Sequence, residues 1–340
     1  MNERWTRGVG AVRTGWPPSV KLQKVAVLAA LCAGCTGAHA QSQAEGAGAS
    51  GGQASSVVAG ERTAQGAGST SAAAEDGAAA KAEGESPFHF QLNVDYATSY
   101  FYHGIIQEDT GLILQPAAKV TANLLARDDL TINAYLATWS SFHGQKTGTD
   151  GEGGFKDHWY ESDVVGGLAV TRGAWSFSGQ YALLGSPSDA YEAVQELDFS
   201  VGYDDSGALG AFALHPYASL AIEIGADASD GGDSDGGMYL ELGIAPGFTA
   251  KALEKYIAIS FPVAVGLSIE DYYQNADGED DTFGFVQVGV KAAVPLLSGK
   301  NGVWTLNAGV SGLFLGDHTA EYNGGDHEQV IAVVGLQLDF

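Results

Sequence analysis

Residues 88–340 alternate between apolar and polar or small side chains with a period of two, in one segment after another. The stretch FHFQLNVDY (88–96) places Phe88, Phe90, Leu92 and Val94 on one face. The chain ends in the same way, because VVGLQLDF (333–340) alternates up to its final phenylalanine. Successive side chains of a strand point to opposite faces, so this pattern predicts strands with one apolar face.

Twelve such segments are recognisable, and at about 10 to 14 residues their strands are long. Strands in soluble sheets usually have five or six residues, whereas a strand tilted across a bilayer needs about ten. The approximate bounds are 88–101, 111–126, 129–142, 158–171, 174–185, 192–204, 211–224, 237–249, 255–269, 282–296, 302–315 and 327–340.

The connections between the segments fall into two classes. Those after even-numbered segments are short, whereas several after odd-numbered segments are long and acidic, such as 143–157 and 271–281. An even strand number with short turns at one end and long loops at the other is typical of outer-membrane proteins. The sequence therefore predicts an all-β fold, a transmembrane up-and-down antiparallel β-barrel of about 12 strands, in contact with outer-membrane lipid.

The first 86 residues have a different texture. Lys21 and Lys24 precede the apolar run VAVLAALCAG, and an A-x-A cleavage site ends at Ala40, which predicts a secretory signal peptide over 1–40. Residues 41–86 are rich in Ala, Gly and Ser and contain no aromatic residue, which predicts a disordered tail. The barrel would then occupy 87–340, with its N terminus in the periplasm.

Both cysteines, Cys32 and Cys35, lie in the predicted signal peptide. A lipoprotein signal at CAGC is an alternative, although Cys32 stands where such signals usually have leucine. Cleavage after Ala40 would leave a chain without thiols, and therefore without disulfides.

The chain is strongly acidic, with 41 Asp and Glu against 16 Lys and Arg and a formal net charge of −25. This charge repels phosphates and disfavours nucleic acid as a partner. It favours small solutes or cations instead.

Alternation predicts that several charged residues face the inside of the barrel. A lysine on the lipid side would cost about 2–4 kcal/mol at the bilayer midplane, which also favours an inward orientation. One interpretation is an acidic passage that concentrates cations, and the other is a closed lumen filled by paired charges. The predicted pore-lining residues are Asp95, Lys119, Asp163, Glu196, Asp198, Glu223, Glu241 and Lys291.

Other chemistry is weakly indicated. The acidic loop 226–236 lacks the first and twelfth ligands of an EF-hand, and the histidines near the long loops have no close ligand spacing, so neither a metal site nor a cofactor is predicted. Ser140, Ser141 and His143 lie at one strand end, but nothing in the sequence orders them into a nucleophile and base. The sequence therefore does not predict an enzyme. One alternative to a porin is a structural or adhesive barrel that acts through its acidic loops, and a less favoured alternative is a lipid hydrolase.

Aromatic residues gather near the segment ends, where interfacial belts are expected. The pattern places Tyr100, Tyr102, Tyr160 and Tyr239 in the belt at the long-loop end, and Phe340 in the belt at the short-turn end.

Two stretches resemble known proteins. The C terminus resembles the assembly signal of bacterial outer-membrane proteins through Gly335, Leu338 and Phe340, which implies the barrel-assembly machinery as a partner; Val333 departs from the pattern. The stretch DYATSYFYHGIIQ (95–107) resembles the opening of the TorF-type porin family, with His103 where that family often has arginine. This resemblance implies a porin-like barrel from a Gram-negative bacterium with no established solute.

Overall fold

The computed structural model describes residues 86–148, 153–225, 236–252, 255–275, 278–300 and 302–340. The predicted signal peptide, the tail up to residue 85 and nearly all of the acidic loop 226–236 lie outside these residues. Within them, no helix is long and apolar enough to cross a membrane.

The described chain forms sixteen strands. In chain order they are β1 (Phe88–Ala97), β2 (Tyr100–Tyr102), β3 (Ile105–Glu108), β4 (Ile113–Arg127), β5 (Leu130–His143), β6 (Trp159–Arg172), β7 (Trp175–Gly185), β8 (Val194–Tyr203), β9 (Tyr217–Glu223), β10 (Met238–Ile244), β11 (Gly247–Ala252), β12 (Lys255–Ser260), β13 (Val263–Glu270), β14 (Phe283–Gly299), β15 (Gly302–Leu315) and β16 (Glu328–Asp339). Fourteen of them form one antiparallel sheet, and β2 and β3 form a separate hairpin.

The large sheet closes into a barrel of twelve spans, as the alternation predicted. Each span pairs with its neighbours in the chain, and β1 pairs with both β4 and β16. The closing seam runs from Gln91 opposite Asp339 to Ala97 opposite Val333. Two spans are divided: β10 and β11 around Pro246, and β12 and β13 around Pro262. The predicted segments 237–249 and 255–269 are thus each divided into two strands at a proline, which cannot donate a ladder hydrogen bond.

The barrel has an apolar exterior. Large apolar side chains lie about half exposed around the wall, including Phe90, Leu136, Phe199, Val288 and Leu336. Their sequence neighbours on the same strands point inward and are mostly buried or half-buried. A soluble protein rarely exposes so much contiguous apolar surface, and lipid is the medium that such a surface suits.

Short helices, which the sequence did not predict, occupy some connections. The connection between β8 and β9 contains helix α1 (Ser206–Leu209) and a 3-10 turn (Gly210–Phe212). Strand β9 therefore begins at Tyr217, six residues after the predicted start of that segment. The Asp205 carboxylate stabilises this turn by accepting the backbone N–H groups of Leu214 and His215, at 3.0 and 3.0 Å. Helix α2 (Asp317–Tyr322) lies between β15 and β16, and a 3-10 turn (Phe155–His158) precedes β6.

Candidate functional site at the barrel mouth

Residues 98–112, between β1 and β4, fold into the barrel at its long-loop end; this segment is called the plug. Tyr100 and Phe101 are completely buried, and Tyr102 and His103 are nearly so. The first strand was predicted to continue to 101, but β1 ends at Ala97 and the chain leaves the wall there. The plug thereby closes the barrel mouth.

A two-residue turn gives the plug its shape. Tyr102 pairs with Ile105, so His103 and Gly104 form the hairpin turn between β2 and β3. Both have positive φ, 45° and 87°, as the tightest hairpin turns require. A Cβ on Gly104 would lie 2.7 Å from Cδ1 of Phe285, so only glycine fits against this wall residue. The turn places the His103 imidazole at the innermost tip of the hairpin.

Tyrosine hydroxyls of the plug hold carboxylates of the wall. Tyr100 donates a hydrogen bond to Oε2 of Glu161 on β6, at 2.8 Å, and Tyr102 donates to Oε1 of Glu196 on β8. Tyr160 of β6 donates to Oε1 of Gln107 in the plug. Hydrogen bonds to charged groups contribute about 1.5–3 kcal/mol each, roughly twice a neutral one. The plug is therefore fastened to β6 and β8, two spans of the wall that are separated by β7.

The connection after β13 and the chain after α2 secure the inner half of the plug. The Tyr273 hydroxyl donates to the carbonyl oxygen of His103 at 2.8 Å. The Asn323 amide donates to the carbonyl oxygen of Gly104 and accepts the backbone N–H of Ile106, both at 2.9 Å. Burial raises the pKa of the Tyr273 hydroxyl well above its usual range, with Glu241 adding to the effect, so this hydroxyl remains a donor.

The His103 ring lies between two tyrosine rings. Its centroid is 3.8 Å from that of Tyr239 on β10, with 10° between the planes, and 4.1 Å from that of Tyr102. Its Nδ1 shares a hydrogen bond with the hydroxyl of Tyr272. The Tyr239 hydroxyl itself donates to Glu241 at 2.9 Å.

The belt prediction was wrong for the tyrosines at this end. Tyr100, Tyr102 and Tyr239 point into the lumen and are buried, rather than facing lipid at the rim. The sequence analysis also missed Glu161 and Tyr272 as functional candidates. The pair His103-Gly104 was a sequence signal for the hairpin turn alone, because glycine readily adopts the positive φ that a two-residue turn requires.

All eight predicted pore-lining residues lie on the inward face of the wall. The six carboxylates, Asp95, Asp163, Glu196, Asp198, Glu223 and Glu241, are buried, whereas Lys119 and Lys291 are half-buried. Whether they line a conducting pore stays a prediction.

The structure brings some of these residues together and separates others. Glu196 and Glu223 are direct cross-strand partners on β8 and β9. Asp198 accepts a hydrogen bond from Gln180 at 2.6 Å, and Gln180 accepts one from Tyr135 at 2.7 Å. Lys119 lies 4.8 Å above the Tyr135 ring and completes this chain of contacts.

Asp95 and Lys291 lie apart from that group. Asp95 is at the β1–β16 seam, opposite Gly335, and Lys291 is opposite Ser260 on β12 and Gly309 on β15. The predicted charges are therefore distributed around the wall rather than gathered into one ring.

The lumen below the plug is more accessible than the mouth. On β4, β6 and β14 the inward residues nearest the plug are buried, whereas the inward residues from Ala117, Val165 and Gln287 toward the short turns are half-buried. Solvent therefore reaches part of the inner wall from the short-turn end.

Ser141 and His143, on the inward face of β5, form part of a serine–histidine–glutamate arrangement. Ser141 Oγ is 2.9 Å from His143 Nε2, and His143 Nδ1 is 3.9 Å from Glu108 Oε2 on β3. The second distance is longer than a hydrogen bond, and Ser141 is completely buried. In this conformation the serine is not accessible to a substrate.

Two of the histidines near the long loops contact backbone carbonyl oxygens. His158 Nδ1 contacts the carbonyl oxygen of His143 at 3.0 Å, and His318 Nδ1 contacts that of Tyr273 at 3.0 Å. Among the described residues, the potential metal ligands that converge are Asp204, Asp205 and His215 at the short-turn end, with ligand atoms within 4.8 Å of one another. Because Asp205 already accepts two backbone N–H groups, these residues brace the turn before β9.

Of the three residues of the predicted assembly signal, Gly335 and Leu338 lie on β16, and Phe340 directly follows it. Phe340 is about half exposed and stacks on Phe90, with ring centroids 5.3 Å apart and 13° between the planes. Gly335 faces Asp95 across the seam, and Leu338 points outward with Leu336.

Comparison with known proteins adds no family assignment. No family model and no curated protein matches the chain. An outer membrane channel from Pseudomonas putida F1 is 11% identical, with 77% of this chain and 99% of that chain covered and a TM-score of 0.42. The β domain of the Bordetella autotransporter BrkA is also 11% identical, with 75% and 98% covered and a TM-score of 0.38. The KdgM porin in complex with disordered oligogalacturonate is 8% identical, with 74% and 99% covered and a TM-score of 0.35. At these values the barrel assignment rests on the strand pairing of this chain itself.

Proposed function

We propose that this protein is an outer-membrane, porin-like channel for small solutes, with a preference for cations, which the plug closes in the conformation described. The observation that carries the proposal is the charge of the inward face, where six buried carboxylates accompany two half-buried lysines. Carboxylates in a low-dielectric passage raise the local concentration of cations and repel anions.

The apolar exterior supports a location in the outer membrane, with lipid as the surrounding medium. Long loops face the outside and short turns the periplasm in such barrels, which would place the N terminus in the periplasm. The hairpin motif at 95–107 is the feature that supports membership of the TorF-type porin family.

Recording single-channel currents from the purified full-length protein in a planar lipid bilayer, under a salt gradient, tests this proposal. Brief discrete openings with a cation-selective reversal potential would support it. A permanently silent barrel that still shows heat-modifiable migration on a gel would overturn it and favour the structural or adhesive alternative. Labelling of Ser141 by a fluorophosphonate probe would instead favour the hydrolase alternative.

Replacing Glu196 by glutamine together with Asp198 by asparagine is expected to lower the cation-to-anion permeability ratio of open channels by roughly twofold or more. The reason is that two negative charges leave the inner wall while the side-chain shapes remain. Reversal potentials measure the ratio. Asp317→Asn is the matched control, because its carboxylate is 92% exposed on a loop helix. An unchanged ratio would remove these two residues from the passage.

The last strand is proposed to act as the signal read by the barrel-assembly machinery. Phe340→Ala is expected to reduce the amount of folded barrel in outer membranes several-fold, while refolding of the purified chain into detergent changes little, because only the first process requires recognition. Gel migration of heated and unheated samples measures both. Equal losses in the two settings would mean that Phe340 acts through its contact with Phe90 alone.

A further inference from the structure

His103 occupies a pocket that is built mainly by other parts of the chain. Tyr239 of β10 provides a flat aromatic floor, and Tyr272, after β13, provides a hydroxyl to the ring nitrogen Nδ1. The two rings of the pocket are 5.2 Å apart, at 45° to each other. Tyr102, on the other face of the imidazole, belongs to the plug and would leave with His103. The pocket that receives the tip of the plug is therefore formed by Tyr239 and Tyr272.

Two carboxylates lie beside this pocket. A Cβ at Gly237 would lie 2.9 Å from both Oε2 of Glu223 and Cδ2 of Tyr272, so Glu223 is close to the pocket wall. Glu196 and Glu223 lie directly opposite each other on β8 and β9, and both are buried, at 1% and 5% exposure. Carboxylates that face each other across a sheet destabilise it when both are charged, so a cation bound beside them would be stabilised. Burial raises the pKa of the Tyr272 hydroxyl well above its usual range, and Glu223 and then Glu196 raise it further, so both carboxylates act on the atom that contacts His103.

We propose that this pocket is a binding site for a planar organic cation of the amidinium, guanidinium or imidazolium class, and that His103 fills it as a tethered mimic of that ligand. A flat cation would stack on Tyr239, as His103 does at 3.8 Å. Its N–H groups would donate to the Tyr272 hydroxyl and to the paired glutamates.

Ligand binding and plug insertion are then mutually exclusive. A ligand that occupies the pocket displaces His103, and it competes with a group that is already attached to the protein. The apparent affinity of the ligand equals its intrinsic affinity multiplied by the fraction of molecules in which the plug has left the pocket. Minor conformations of this kind are typically populated at about 0.1–10%. The inference that a planar cation binds in the pocket does not depend on the proposed function. The inference that such a cation opens the channel rests on the proposed function.

Calorimetric titration of the full-length protein in detergent with benzamidinium tests the inference. His103→Ala is expected to bind benzamidinium at least about tenfold more tightly than the unaltered protein, because the tethered competitor is gone. Benzamide has the same shape without the charge and should bind at least about tenfold more weakly than benzamidinium. Equal affinity of the unaltered protein and His103→Ala, or equal affinity for the two compounds, would overturn the proposal.

A second substitution in the His103→Ala protein identifies the pocket. Adding Tyr239→Leu should weaken benzamidinium binding about tenfold or more, because the stacking surface is lost. Adding Tyr181→Leu is the control, since Tyr181 lies on the outer surface of β7. If the Tyr239→Leu protein does not fold, as judged by heat-modifiable migration, adding Glu223→Gln is the substitute and should also weaken binding. Unchanged binding in a folded pocket variant would overturn the assignment.

Binding and conductance can fail separately. Benzamidinium binding without ion currents would retain the pocket and reject the channel. The opposite result is also possible: ion currents that do not respond to benzamidinium, and no heat of binding, in both the unaltered and the His103→Ala protein. That result would retain the channel and reject the pocket.

Discussion

Replacing Tyr100 and Tyr102 together by phenylalanine is expected to raise the ratio of open to closed channels by about 10²- to 10⁴-fold. Each substitution removes one hydrogen bond from a plug hydroxyl to a wall carboxylate, Glu161 or Glu196. Such bonds contribute about 1.5–3 kcal/mol each, and every 1.4 kcal/mol changes an equilibrium tenfold. The aromatic rings remain, so the plug loses its fastening but not its shape. Open probability in planar bilayers measures the effect.

Tyr181→Phe is the matched control for this variant. The Tyr181 hydroxyl also donates a side-chain hydrogen bond, to Gln195 at 2.9 Å, but on the outer surface of the barrel. Its open probability should equal that of the unaltered protein. A double variant that folds and stays as closed as the control would show that the plug is held by packing rather than by these two hydroxyls.

Gly335→Ala is expected to lower the free energy of unfolding by about 2–5 kcal/mol, because it overfills the seam that closes the barrel. A Cβ at this position would lie 1.6 Å from Oδ1 of Asp95 and 2.8 Å from its Cγ. Asp95 is buried and accepts a hydrogen bond from Asn93 at 2.7 Å, so moving its side chain also breaks a charged hydrogen bond. Urea unfolding in lipid vesicles, followed by tryptophan fluorescence, measures the loss.

Gly166→Ala provides the comparison for a glycine in the wall with room for a side chain. A Cβ there would lie 3.8 Å from the nearest heavy atom, Cδ1 of Leu136, which is an ordinary contact. This variant is expected to be neutral or slightly stabilised, since alanine has less conformational freedom to lose than glycine. Equal stability of the two variants would show that Asp95 has a second position available at the seam.

The wall of the barrel could be predicted from the sequence because it depends on a local property. Side chains of a strand alternate whatever surrounds them, so the pattern at Glu196, Leu197 and Asp198 already separates an inward from an outward face. The twelve spans and the inward orientation of the eight charged residues follow from the same rule. The breaks at Pro246 and Pro262 do not follow from proline alone, because Pro116 and Pro295 lie within the undivided strands β4 and β14.

The plug could not be predicted in the same way. Thr98 and Phe101 interrupt the alternation of β1 and His103-Gly104 indicates a turn, but neither shows that the chain leaves the wall at Ala97 and folds inward. A tyrosine suits both a membrane interface and a buried site with a hydrogen-bond acceptor, because it has an apolar ring and a polar tip. The choice depends on acceptors that are distant in sequence, such as Glu161 for Tyr100 and Glu196 for Tyr102.

The sequence by itself therefore determined a twelve-span barrel with an apolar outside and an acidic inside, since both follow from a period of two. Only the tertiary structure decided that the mouth is closed and that His103 lies between Tyr102 and Tyr239. That outcome depends on contacts between residues 94 to 170 positions apart, which form only when closure of the barrel brings β8, β10 and the β13–β14 connection around the plug.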